Sequence, residues 1–140
     1  MAMLDAYIFF DGTCAEAMRF YERTLGGKIE MMMTYAQSPV KGESPMGSGD
    51  RIMHARLRIG DRALMASDGI PGESAKAPKG YSLSLTYPSA AEARRIFATL
   101  GEGGQVRMAL QETFWAEAFG MLVDRFATPW MVNGGSKQLP

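Results

Sequence analysis

His54 is the only histidine among 140 residues. An imidazole can ligate a metal, move a proton, or merely line a strand. It stands in the stretch "RIMHARLRIGDRALMASDG", residues 51–69. The side chains that could share its chemistry are the carboxylates Glu117 and Asp68 and the single thiol, Cys14. A His54–Glu117 pair would be an acid–base couple, because a nearby carboxylate raises an imidazole pKa into the working range. Nucleophilic catalysis by Cys14 would need a base beside it, and nothing in the sequence makes His54 its neighbour. A reactive thiol near a helix start competes with an inert packing thiol, the commoner state of a free cysteine. A firm zinc or nickel site wants three or four N, S or carboxylate donors. One histidine and scattered carboxylates do not supply them, so no tight metal is expected, which leaves room for a weakly held divalent cation.

The elements that must position these groups are written twice. "AEAMRFY" at 15–21 matches "AEARRIF" at 91–97, an offset of 76, and "RIGDR" at 58–62 matches "MLVDR" at 121–125, an offset of 63. The 13 residues by which the offset falls are accounted for by "SPVKGESPMGSGD", 38–50, a Gly-, Ser- and Pro-rich loop in the first half only. That loop is either a lid or a disordered insertion. Each half reads strand, helix, then three strands, which gives an α+β fold of two βαβββ modules, about 3–69 and 80–134. The first helix, about 13–25, opens on Thr13 with Glu16 three residues on, a capping box, and ends on Gly26 and Gly27. The second, about 89–100, opens on Ser89 with Glu92 three residues on, and ends on Gly101.

Strand alternation divides the side chains between two faces. In "YSLSLTY" Leu83, Leu85 and Tyr87 should pack under the helix, leaving Ser82, Ser84 and Thr86 on the other face. In "IMHARLRI" Met53, Ala55, Leu57 and Ile59 form the core face, with Ile52, His54, Arg56 and Arg58 opposite. The offset of 76 carries Ser82 back to Ala6 and places Ala6, Ile8 and Phe10 on the ligand-facing side. The offset of 63 pairs His54 with Glu117. Gln111, Thr113 and Trp115 share a face if their strand stays regular. The expected pocket is therefore Phe10, Arg56, Ser82, Ser84, Gln111 and Trp115, with His54 and Glu117 as the acid–base candidates. The alternative is that His54 and the arginines sit on a solvated sheet face or a subunit seam.

Together, "YIFFDGTCAEAMRFYERTLGG", "IMHARLRIGDRALMASDG" and "DRFATPWMVN" resemble the PhnB-like branch of the vicinal oxygen chelate superfamily, which includes glyoxalase I, bleomycin-resistance proteins and extradiol dioxygenases. The resemblance covers nearly the whole chain. It implies a cupped mixed and antiparallel sheet around a cavity, a small-molecule ligand, and a homodimer. Metal-dependent members carry one ligand on the opening and one on the closing strand of each module. By resemblance those positions fall near Ala6 and Ser82, and near "MASD" and "WMVN", where Asp68 and Asn133 occupy matching places. Asp68 could hold a hard cation, but turn chemistry in "SDGIPG" is its other role. Some members carry a 3-demethylubiquinone methyltransferase label, yet the chain has no glycine-rich strand-to-helix turn of nucleotide-binding type.

Composition narrows the function classes. Fifteen basic residues balance fifteen acidic ones, so no charge excess favours nucleic acid or an anionic membrane. No apolar run approaches the roughly 20 residues of a membrane span. Asp5 and Asp11 interrupt the opening "MAMLDAYIFFDG", which does not read as a signal segment. One cysteine precludes an intrachain disulfide and suits a reducing cytoplasm. Twelve methionines suggest an adaptable interior. Three readings compete: a non-enzymatic small-molecule binder, an enzyme on a small organic substrate, and an assembly or regulatory protein whose repeat builds a dimer.

Overall fold

The computed structural model describes residues 1–39, 48–72 and 79–137; most of the expected 38–50 loop, residues 40–47, lies outside them. The chain divides into two compact units, Met1–Lys76 and Ala77–Pro140. The first contains β1 (Ala6–Phe10), α1 (Cys14–Leu25), β2 (Lys28–Thr34), β3 (Ile52–Ile59) and β4 (Arg62–Asp68). Its four strands lie in the order β1-β4-β3-β2, with β1 and β4 parallel and the other pairs antiparallel. The second contains β5 (Leu83–Tyr87), α2 (Ala90–Leu100), β6 (Gln105–Gln111), β7 (Ala116–Val123) and β8 (Pro129–Ser136), in the order β5-β8-β7-β6 with β5 and β8 parallel. Each unit is an α+β module of one helix on one mixed sheet.

In the first unit α1 packs on β2, β3 and β4. Its apolar stripe of Ala17, Met18, Tyr21 and Leu25 is buried against Ala55, Leu57, Leu64 and Ala66. Two glycines end the helix for different reasons. Gly26 adopts the left-handed conformation, φ 76°, which favours a residue without Cβ. Gly27 passes so close to β3 that a Cβ would stand 2.4 Å from the Arg58 carbonyl oxygen.

The start of α1 corrects the capping expectation. Thr13 holds the cap position with φ −106° and ψ 8°, and its side chain makes no capping hydrogen bond. A carboxylate distant in sequence does the work instead. Asp68 Oδ1 accepts from the backbone N–H groups of Gly12 at 2.7 Å and Cys14 at 3.1 Å, and Oδ2 accepts from Ile52 N–H at 2.8 Å. A negative group at a helix N-terminus also meets the favourable end of the macrodipole. Asp68 thus joins the end of β4 to α1 and to the start of β3, rather than closing its own turn.

In the second unit the cap is local, as expected: Ser89 Oγ accepts from Glu92 N–H at 3.2 Å. Here the sheet yields to the helix. A Cβ on Gly134 would lie 2.4 Å from Ala93 Cβ, and one on Gly120 would lie 2.7 Å from the Phe97 ring. Glycine on the strands and alanine on the helix therefore let α2 sit close against β7 and β8. At the β7–β8 connection, buried Asp124 accepts from Phe126 N–H, Thr128 N–H and the Trp130 indole N–H at 2.8–3.0 Å. Trp130 is consequently a buried, satisfied core residue.

The register shows how the two halves correspond. Ala6, Ile8 and Phe10 pair with Leu64, Ala66 and Asp68 on the helix-covered face. Leu83, Leu85 and Tyr87 pair with Trp130, Val132 and Gly134 on theirs. The opening strands therefore match at an offset of 77, not 76. The cause is the connection before the helix: three residues, 11–13, follow β1, whereas two, 88–89, follow β5. A one-residue slip sends every side chain of a strand to the other face. Likewise Ala55 faces Ala66 and Gly120 faces Val132, so β3 and β7 match at 65, and His54 corresponds to Phe119 rather than Glu117. Asn133 corresponds to Ser67, and Asp68 to Gly134.

Candidate functional site

The face of the first sheet that α1 leaves uncovered collects the chemistry. β1 contributes Tyr7 and Phe9, and their β4 partners Met65 and Ser67 share the face. β3 contributes His54 and Arg56, and β2 contributes Met33 and Met31 opposite them. Tyr7 Oη lies 3.1 Å from His54 Nδ1, and the two rings stack with centroids 5.6 Å apart at 29°. Phe9 extends the stack, 5.2 Å from Tyr7. Tyr7 and Phe9 are 39% and 52% exposed, so a broad π surface meets solvent. Phe10, expected in the pocket, is instead 3% exposed on the helix-covered face. Ala6 and Ile8 move with it.

Beside the aromatics lies a charge ladder of two arginines on one carboxylate. A bulge at Glu30 between Ile29 and Met31 turns that carboxylate toward β3. It accepts from Arg56 Nε at 3.1 Å and Arg58 Nε at 2.9 Å. The hydrogen bond from Arg58, helped by that from Arg56, holds the Glu30 carboxyl below its usual range, and Arg58 is raised in return. Arg56 also points Nη1 at Met65 Sδ, 3.6 Å away. It is on the predicted face, though not as a free cation.

In the second unit the uncovered face holds Ser84, Thr86, Met131 and Asn133 in register, with Phe119 and Met121 from β7. Asn133 organises its centre: Oδ1 accepts from the Trp115 indole at 3.2 Å and Nδ2 donates to Ser84 Oγ at 3.4 Å. Trp115 packs edge-on against Phe119 and Phe114, at 5.2 Å and 4.8 Å. β6 ends at Gln111, so Gln111, Thr113 and Trp115 do not form one regular strand. Thr113 Oγ1 accepts from the Trp115 and Ala116 N–H groups and turns the chain instead. Gln111 and Glu117 line a groove of about 610 Å³ with Arg94, Glu112 and Lys137, the last two ion-paired. Ser82 lines a separate hollow of about 290 Å³ with Tyr81, Arg107 and Met121.

The whole arrangement of strands has counterparts. Residues 3–133 match the family model described as the Glyoxalase/Bleomycin resistance protein/Dioxygenase superfamily. The chain belongs to this superfamily. It is 35% identical over 138 residues to Protein YjdN of Escherichia coli, covering 93% of each chain. A crystal structure of protein PA1353 from Pseudomonas aeruginosa is 46% identical, with a TM-score of 0.85 over 96% of this chain and 98% of that one. A Bacillus cereus structure titled as a putative 3-demethylubiquinone-9 3-methyltransferase, PhnB protein, shares the fold at 22% identity, TM-score 0.78, covering 95% and 99%.

Superfamily membership raises the question of a metal, and the donor set answers it residue by residue. Ala6 offers a methyl group and Ser82 only a neutral hydroxyl. Both oxygens of Asp68, 2% exposed, are taken by three backbone N–H groups. The amide of Asn133 is engaged at both ends. Among the described residues no three His, Cys, Asp or Glu side chains gather. These positions do not fit a transition ion, and Asp68 does not fit the weaker cation role either. Cys14 is fully buried, and burial, with Asp68 adding to it, pushes its thiol up to about 12. That is a packing thiol, not a nucleophile. Tyr7, Phe9 and Glu30 are the site residues that sequence reasoning missed. For Tyr7 and Phe9 the signal was the unequal count of residues between strand end and helix start, which reverses the faces of "YIFF"; Glu30 joins them only through the β2 bulge.

Proposed function

We propose that this superfamily member is a small-molecule-binding protein of the bleomycin-resistance type, with the helix-free face of the first sheet as a binding surface. One observation carries the reading: Tyr7, Phe9 and His54 form a contiguous, solvent-facing aromatic surface next to a charge ladder in which Arg56 and Arg58 share the one Glu30 carboxylate. Small-molecule sites typically combine apolar and aromatic lining with a few placed polar groups. Native mass spectrometry of the purified protein tests it, with a co-purified or added small molecule expected in the wild type and lost in Tyr7→Ala and Phe9→Ala. Full retention in both variants overturns it. The same spectrum reads the homodimer that the reading includes.

An enzyme on a small organic substrate is the second reading, and the Tyr7–His54 hydrogen bond favours it. His54 would supply acid–base chemistry, with Glu117 as the other candidate. Turnover abolished in His54→Ala, with the fold intact, distinguishes this reading from simple binding.

A further inference from the structure

We infer that Tyr7 holds His54 as a hydrogen-bond donor at Nε2, so that this face takes flat ligands carrying an acceptor atom. The inference deepens the binding reading above and rests on it. A neutral imidazole has one N–H and one lone pair, and the partner of one nitrogen decides where the proton sits. Across the 3.1 Å contact, either the Tyr7 hydroxyl donates to Nδ1 or Nδ1–H donates to the hydroxyl oxygen. The phenol is the stronger donor, and an sp² nitrogen lone pair is a far better acceptor than a phenol oxygen whose lone pair is delocalised into its ring. The first arrangement is therefore favoured, and the proton belongs on Nε2.

The neighbours shape what that N–H can meet. Phe9 and Tyr7 offer a π surface with centroids 5.2 Å apart, and His54 continues it. A planar apolar group can lie on it. Arg56 and Arg58 share the one Glu30 carboxylate, which leaves this corner one net positive charge, and that too favours an electron-rich acceptor oxygen on the ligand. A carbonyl attached to an aromatic ring meets both requirements. In this state His54 has no lone pair at Nε2, so toward a ligand oxygen it acts as a donor or general acid and not as a base.

Because His54 is the only histidine, a histidine-selective ¹⁵N label gives one imidazole spectrum with no assignment problem. At alkaline pH, long-range ¹H–¹⁵N correlation should show Nε2 as the protonated nitrogen in the wild type and a mixture of tautomers in Tyr7→Phe. Acetophenone and ethylbenzene, equal in shape apart from the carbonyl, are the binding probes, followed by chemical-shift titration. Acetophenone is expected to bind about five-fold tighter, the worth of one net neutral hydrogen bond, with the preference lost in His54→Phe. Protonation at Nδ1, or equal affinity for the two probes, overturns the inference while leaving the binding reading in place. An Nε2–H tautomer with no shift from either probe overturns the ligand half together with the binding reading.

Discussion

Asp68→Ala removes the acceptor for three backbone N–H groups at once. The carboxylate is 2% exposed and accepts at 2.7, 3.1 and 2.8 Å from Gly12, Cys14 and Ile52. A buried donor left without a partner costs about 1–3 kcal/mol. Part of that is recovered if water enters and Gly12 reaches solvent, so the expected loss is about 3 kcal/mol for the three together. Set against a total stability of about 5–15 kcal/mol, such a loss concentrates where the bonds were, at the start of α1. The reporter is already in place. Cys14, the only cysteine, is the first residue of α1 and fully buried, so native-state labelling with a thiol reagent measures the opening of that helix. At about 1.4 kcal/mol per factor of ten, labelling should run about 100-fold faster in Asp68→Ala. Asp68→Asn should lie between, because its amide oxygen can still accept from Gly12 and Cys14 while its NH₂ faces the Ile52 N–H. Equal labelling rates within two-fold for Asp68→Ala and wild type would refute the assignment of Asp68 as the tie between β4, α1 and β3.

Two further outcomes follow from the same geometry. Gly134→Ala forces a Cβ to within 2.4 Å of Ala93 Cβ and 2.6 Å of the Ser89 carbonyl, an overpacking that should cost about 1–3 kcal/mol; urea unfolding followed by tryptophan fluorescence reads it, since Trp115 and Trp130 both lie in that unit, and Ala93→Gly should restore part of the loss. Asp11 accepts from Gly72 N–H at 2.8 Å and from Arg51 at 3.0 Å, and these, the Gly72 bond first, hold its carboxyl below the ordinary range. A depressed folded pKa means the interaction is complete above the unfolded value of about 3.9 and is lost as pH falls through the folded one. The Gly72 amide resonance should therefore move only in acid, below the ordinary carboxylate range, and should not titrate in Asp11→Asn.

Much of the architecture could be read from residue order because each unit is built from signals that act locally. Gly26 and Gly27 stop α1, Ser89 caps α2 through Glu92, and "IMHARLRI" sorts Ala55 and Leu57 from His54 and Arg56 by simple alternation. What escaped was set by contacts between elements. Thr13 has the right chemistry to cap α1, yet the Asp68 carboxylate, held by the end of β4, already accepts from the Gly12 and Cys14 N–H groups in its place. Glu30 reaches Arg56 and Arg58 only because β2 bulges there. The largest error, the face of β1, came from carrying the helix offset of the repeat into the strand before it. The helices fix their own register by capping and the strands fix theirs by pairing, so the connection between them absorbs an inserted residue without disturbing either. Asp11, Gly12 and Thr13 do this in the first unit, where Gly12 takes φ 86°, and the shorter Pro88–Ser89 link suffices in the second. The consequence falls on the side chains: the extra residue brings Tyr7 and Phe9 out to His54 and buries Phe10. The same short segments that a repeat comparison treats as spacers therefore decide which aromatic rings a ligand can touch.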